Sequence, residues 1–418
     1  MIKRFIVIVA FFSALFAEAQ ENVSSPYSYY GIGITNFKGT VANRSMGGLN
    51  IYNDSIHINL MNPAAYGRLR LTNYAIGASH DRISLKSDVA SDNAKISSLD
   101  YLALGLPLGD GLGIGVGLIP YTSVGYRIVD FQDNTASRLY GRGGMNKVFL
   151  SAGYQINNHF SLGVDASYNF GNFQNRRTVV RDGIQLGTRD INRSDIKGFN
   201  FNFGAEYRTD ISEDLELSFS GTYSPAIDLN SDNFREVSTI SFLNGSEIVV
   251  DKQEIDVENS NFTYPSRLII GGGIGKRNNW FIGAEYVNVG ASSYQDSFSF
   301  RNDGGQFEDA SQFKIGGFYI PEFDSYTSYF KRVVYRAGFR YEGTGLIVND
   351  TSIKEFGISF GLGLPVGLSS RDPFSNINLG FELGQRGTKD AGLIEENYLK
   401  LSIGLSLNDK WFTKRKFN

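Results

Sequence analysis

The chain has 418 residues, with 40 Lys and Arg against 43 Asp and Glu for a formal net charge of −3, and no cysteine. The missing thiols exclude a disulfide scaffold, thiolate metal sites and cysteine chemistry, and so small a charge imbalance argues against nucleic acid as a partner. Its 48 Gly, 23 Tyr and 32 Phe beside 9 Pro and 4 Met suit antiparallel strands between two solvents and suit helices badly, because glycine costs about 1 kcal/mol per helix position relative to alanine.

The first twenty residues, MIKRFIVIVAFFSALFAEAQ, carry a positive n-region at Lys3 and Arg4, an apolar run from Phe5 to Phe16, and an A-x-A site at Ala17-Glu18-Ala19. This predicts a secretory signal peptide over 1–19 rather than a membrane span. No cysteine follows it, so no lipoprotein anchor is expected. Residues 20–70 come next, rich in turn chemistry at Met46-Gly47-Gly48, Asn53-Asp54 and Asn62-Pro63-Ala64, and are expected to fold inward rather than form a strand.

From residue 71 onward the dominant period is two. In NYLKLSIGLSLND, Leu399, Leu401, Ile403, Leu405 and Leu407 take one face while Lys400, Ser402, Gly404 and Ser406 take the other. Such alternation marks a strand with two different faces. Fourteen strands are expected, near 71–86, 97–108, 111–127, 146–156, 159–173, 197–208, 215–226, 267–276, 279–293, 311–320, 332–345, 352–366, 374–386 and 396–408. Tight links such as Gly109-Asp110 and Asn157-Asn158 alternate with long polar ones, among them DFQDNTASRLYGRGGMN, RRTVVRDGIQLGTRDINRS and the stretch from Asp228 to Tyr264. That segregation of link lengths, with one apolar face per strand, predicts an all-β transmembrane barrel over 71–408 whose outward partner is lipid. A tail over 409–418 follows, with Trp411 and Phe412 placed for an interfacial girdle.

The stretch GLGIGVGLIPY lacks the G-x-G-x-x-G spacing of a phosphate loop. Gly111, Gly113, Gly115 and Gly117 are expected to leave one face of the third strand bare toward the lumen. Asp165, Glu285, Lys314 and Glu355 alternate with apolar residues and are expected in the lumen, paired or hydrated. His57, His80 and His159 lie far apart in sequence, so neither an imidazole metal cluster nor a catalytic triad is expected. No enzyme and no cofactor is expected.

The run RSMGGLNIYNDSIHINLMNPAAYGRLR resembles the FadL/TodX and PorV superfamily of outer-membrane barrels, through Gly47-Gly48, Asn53-Asp54 and Asn62-Pro63-Ala64 in that order. The resemblance implies a fourteen-stranded barrel plugged by an N-terminal hatch over 20–70, in a Gram-negative outer membrane with both barrel ends periplasmic. It also implies passage of small hydrophobic molecules past the hatch to a lateral opening at the third strand, where Pro120 is expected to disrupt pairing as the kink does in the family. The sequence departs from the transporters: Ala65-Tyr66-Gly67 follows the turn without their usual glycine, and the loops lack a long hydrophobic segment. Its Tyr-rich and Gly-rich style resembles Bacteroidetes barrels that serve secretion machines, so an accessory or scaffold barrel with envelope-machinery partners stands as the alternative.

Overall fold

The computed structural model describes residues 24–243, 246–291, 305–366 and 375–411. The expected signal peptide over 1–19, and Phe412 with the rest of the tail, lie outside the described residues. Fourteen antiparallel strands close into a barrel. They are β1 Thr72–Lys86, β2 Ser91–Gly109, β3 Leu112–Gln132, β4 Thr135–Gln155, β5 Phe160–Arg181, β6 Leu186–Asp210, β7 Glu216–Ser224, β8 Arg267–Lys276, β9 Trp280–Val289, β10 Ala310–Tyr319, β11 Val334–Val348, β12 Thr351–Pro365, β13 Asn376–Arg386 and β14 Glu395–Asp409. Closure is made by β14 on β1, in register from Glu395 opposite Lys86 to Asp409 opposite Thr72.

Burial is inverted relative to a water-soluble protein. Leu401 and Ile403 are exposed on the outside of β14 while Ser402 and Glu396 are buried inside. Ile358 and Phe360 on β12 point outward and Glu355 inward, and the same division holds for Phe313 and Ile315 against Lys314 on β10. A closed sheet leaves no unpaired edge in hydrocarbon, which is why strand alternation and closure go together.

The two barrel ends differ. At one end Asp110-Gly111 and the residues around Asn157-Asn158 turn the chain tightly, and Thr72 and Asp409 meet there. At the other end β3, β4, β5 and β6 run to 21, 21, 22 and 25 residues, well beyond the roughly 9–11 needed to span a bilayer. The polar stretches expected as long loops are instead the continuation of these strands, because Thr178, Val179, Val180, Thr188 and Ile191 on either side of the turn at 182–185 favour extended backbone. Residues Ile227–Leu243 pair with the outer half of β6, and Ser246–Ile255 and Ser260–Tyr264 pair with them in turn. This half of the barrel therefore carries a tall β collar. Asn349 and Asp350, at φ 49 and 57, close β11 onto β12 with the two left-handed residues that a tight hairpin requires.

Residues before β1 fold inside the lumen as a hatch. A 3-10 turn, Pro26–Tyr29, starts it near the collar, and a two-residue strand, Ile34–Thr35, follows. Helix α1, Val41–Arg44, is closed at its start by a capping box: Asn43 N donates to Thr40 Oγ1 at 3.3 Å and Thr40 N to Asn43 Oδ1 at 3.2 Å. Gly47 and Gly48 then turn the chain with φ of +70 and +84, a conformation that costs glycine least. A second 3-10 turn, Pro63–Arg68, is capped by Asn62, whose Oδ1 accepts from Ala64 N at 3.0 Å. Ile58, Leu60, Tyr66 and Leu69 of the hatch form one apolar cluster with Tyr101, Ala103, Ile119 and Phe149 of the wall. Met46, Leu49 and Ile51 form another with Phe281, Phe318 and Ile320.

Candidate functional site

The hatch sits on two rows of bare backbone. Gly113, Gly153, Gly163 and Gly204 lie opposite one another across β3, β4, β5 and β6. A Cβ at Gly113 would strike the Tyr66 carbonyl, at Gly153 and Gly163 the Pro63 backbone, and at Gly204 the Asn62 side chain. Gly115 adds to the floor of this seat, since its missing side chain leaves room for the Tyr66 ring. The turn Asn62-Pro63-Ala64 therefore rests in a groove made by four strands that each omit one side chain. Gly283, Gly316 and Gly338 form a second register row across β9, β10 and β11. There the backbone of Met46 and Gly47 fills the space that side chains at Gly316 and Gly338 would take, and Gly47 N donates to Ser359 Oγ at 2.9 Å.

Two members of the glycine series on the third strand are placed differently. Gly111 is not on the bare strand face but in the turn before β3, at φ +78, because the link from β2 needs a left-handed residue there. Gly117 packs against Leu102, Ala103 and Phe149 of the wall rather than against the hatch.

Charged side chains tie the hatch to the wall. Lys314 Nζ lies 2.7 Å from Glu285 Oε1, both fully buried, and each reaches the hatch: Lys314 donates to Gly48 O at 3.2 Å, and Glu285 accepts from Asn50 N at 2.9 Å. Asp165 is held by Lys147 at 3.0 Å and Ser151 at 2.8 Å. Glu355 accepts from Arg340, Arg386 at 2.6 Å and the Tyr398 hydroxyl at 2.9 Å, in a network continued by Glu382 and Glu396. Near the short-turn end Arg208 pairs with Glu206 and donates to the Asn53 carbonyl. Asp54 Oδ2 meets His57 Nδ1 at 2.7 Å and its other oxygen accepts from Ile56 N and His57 N. Burial works against the Asp54 carboxylate, but His57 and these two N–H groups outweigh it and hold the acid at about 2.

The wall has a seam beside the hatch. β2 and β3 pair from Gly109 opposite Leu112 up to Leu102 opposite Leu118, and above that point β2 stays with β1 while β3 stays with β4. Pro120 stands where they part, with a register shift before Thr122. A residue without an N–H is tolerated at such an edge. Hatch backbone takes the place of β2: Ile34 and Thr35 pair with Ser123 and Thr122, Asn36 N donates to Tyr121 O at 3.0 Å, and Ser25 N donates to Gly125 O at 2.9 Å.

Between hatch and wall lies a cavity of about 280 Å³. Its lining is mixed: Arg44, Asp81, Asp100, Arg340, Glu355, Glu382, Arg386 and Lys400 border it, and so do apolar side chains such as Phe37, Met61, Ile83, Leu99 and Phe307. Lys38 and Arg267 border it too, and neither was singled out in the sequence. A lone lysine in a turn-rich segment carries no periodic signal, and Arg267 reads as the ordinary polar start of a strand. The Arg340, Arg386 and Tyr398 network was legible only as polar alternation, since nothing in spacing says which strands face each other across a barrel. Among the described residues no group of three or more His, Asp or Glu is arranged to hold a metal ion.

The family model for BamG matches residues 1–418. No curated protein matches the sequence. Among solved structures, the fold is similar to the Ralstonia pickettii toluene transporter TbuX (15% identity, 89% of this chain and 99% of that one, TM-score 0.58). It is similar to the Pseudomonas putida toluene transporter TodX (14%, 90% and 100%, 0.57) and to a Pseudomonas aeruginosa FadL homologue (11%, 91% and 99%, 0.55). At these identities the likeness is one of fold, the outer-membrane barrel, and the full-length family match carries the assignment: the chain belongs to the BamG family.

Proposed function

We propose that this protein is a non-conducting accessory barrel of an outer-membrane assembly machine. The observation that carries the reading is the state of the interior. Hatch backbone pairs along the β3 edge of the seam, and the cavity beside it is bordered by many Arg, Lys, Asp and Glu side chains, most of them ion-paired, together with apolar ones. A conduit for apolar molecules calls for an apolar lining with a few placed polar groups, whereas here charged side chains are as numerous as apolar ones. The Bam designation of the family supports the same reading, as does the tall collar, which offers a broad surface of charged side chains and exposed apolar ones such as Phe131, Phe242 and Val250 for protein contact. We place the tight turns, with the first and last barrel residues Thr72 and Asp409, on the periplasmic side and the collar outside, the arrangement usual for such barrels.

Uptake of small hydrophobic molecules is the second reading, favoured by the seam itself and by the fold shared with hydrocarbon channels. Purification from native outer membranes in mild detergent, followed by mass spectrometry, separates the two. A stoichiometric partner from the assembly machinery is the expected result. A lone barrel carrying a hydrocarbon or fatty acid would overturn it and leave uptake standing.

A further inference from the structure

We propose that the lumen binds a small oxyanion, of phosphate or short-carboxylate size, between Lys38 of the hatch and Arg267 at the start of β8. Four cations crowd this part of the interior. Two have acids of their own: Lys147 pairs with Asp165 at 3.0 Å and Lys314 with Glu285 at 2.7 Å. Among the described residues neither Lys38 nor Arg267 has a carboxylate within ion-pair distance. The Lys38 ammonium instead lies 3.7 Å from the centre of the Tyr121 ring and bonds the hydroxyls of Tyr121 and Tyr264, the latter at 3.3 Å. Glu342, which borders the same cavity, is engaged by Gln312 at 2.6 Å and Arg340 at 3.4 Å.

Lys38 and Arg267 together border both the cavity of about 280 Å³ and a smaller one of about 40 Å³. The larger has room for several molecules the size of water, at roughly 30 Å³ each, and so for an oxyanion. Asn200 and Thr222 border the smaller one and offer an amide and a hydroxyl, while Asn202 and Ser224, which also border it, are already engaged: Ser224 Oγ donates to Asn202 Oδ1 and Asn202 Nδ2 to Met61 O, each at 3.0 Å. A guanidinium fork beside an ammonium is the donor set that suits phosphate and carboxylate oxygens. Burial, then the charges of Arg267 and Lys147, push the Lys38 amine well below the ordinary lysine value, and a bound anion would relieve that repulsion. The site does not depend on which reading of overall function holds.

The test uses the full-length protein in detergent micelles, with inorganic phosphate, acetate and laurate as probes against chloride at equal ionic strength and pH. Binding is read by calorimetry, and heat-modifiable migration on gels shows that each variant is folded. Phosphate or acetate is expected to bind the wild type, at least tenfold more weakly to Lys38→Met and to Arg267→Gln, with Lys38→Arg retaining most of the affinity. No binding of either probe, or binding unchanged in both variants, would overturn the proposal. Binding of laurate alone would also overturn it, and would mark the cavity as a site for long-chain acids.

Discussion

Glu285 and Lys314 stand directly opposite each other on β9 and β10, 2.7 Å apart, and together grip the hatch backbone on either side of Leu49. The pair thus links wall to wall and wall to hatch at one point. Deleting one member strands the other as a buried charge, whereas deleting both leaves none. Lys314→Met is expected to destabilise the protein by about 3–5 kcal/mol, and Lys314→Met with Glu285→Leu by clearly less. The midpoint of thermal unfolding, followed by gel mobility, checks this ordering. Equal loss in the single and double variants would show that the pair is a bystander.

Gly163 faces the Pro63 backbone with no room for a side chain. Gly163→Val is therefore expected to lift the Asn62-Pro63-Ala64 turn from its seat while the barrel still closes, because strand pairing on both sides of Gly163 is untouched and valine suits a strand. Gly109→Ala is the matched control, since a Cβ there meets nothing within 4 Å. Limited proteolysis reads the difference. Faster cleavage within 24–70 in Gly163→Val, with the barrel fragment intact, is the expected result; unchanged cleavage would mean that the hatch is held without this row.

The strands were legible in the sequence because a barrel in lipid writes its topology as alternation, and each expected strand from 71–86 to 396–408 has its counterpart among β1 to β14. The collar was not, since its apolar residues are interrupted by runs such as NSDNFRE and DKQE that read as loop. For the hatch, Gly47-Gly48 and Asn62-Pro63-Ala64 marked turns, but the rows that receive them are cross-strand features. Gly113, Gly153, Gly163 and Gly204 become neighbours only once the register of four strands is fixed. Lys38 and Arg267 are far apart in the sequence and come to border the same cavities only through the closed barrel.

At the seam, Ile34 and Ser123 are antiparallel partners, which places their Cβ atoms roughly 4.5–5.5 Å apart. That is within reach of a disulfide, allowing for small adjustment, and the chain has no other cysteine to interfere. Ile34→Cys with Ser123→Cys is expected to form the bond on mild oxidation and to lock the hatch across the gap. If the protein acts as an accessory barrel, the locked form keeps its partner in detergent pull-downs. Loss of function that returns on reduction would show instead that the hatch must leave the seam.

Asp54 sits at about 2, below its ordinary 3.8, so the folded state favours its ionised form. A depressed acid contributes stability that is complete above the unfolded value and fades as pH falls through the folded one. The contribution should therefore be present at pH 7, begin to decline near pH 4 and be nearly gone by pH 2. At about 1.4 kcal/mol per unit, the shift corresponds to ~2 kcal/mol. Asp54→Asn is expected to lose about that much at neutral pH, through the His57 contact and the two N–H bonds, and to differ little from the wild type near pH 2. Unfolding midpoints of both proteins across pH 2–7 test the sign as well as the size. A gap that stays constant with pH would show that the asparagine costs packing rather than charge, and that the Asp54–His57 pair does not hold this turn of the hatch.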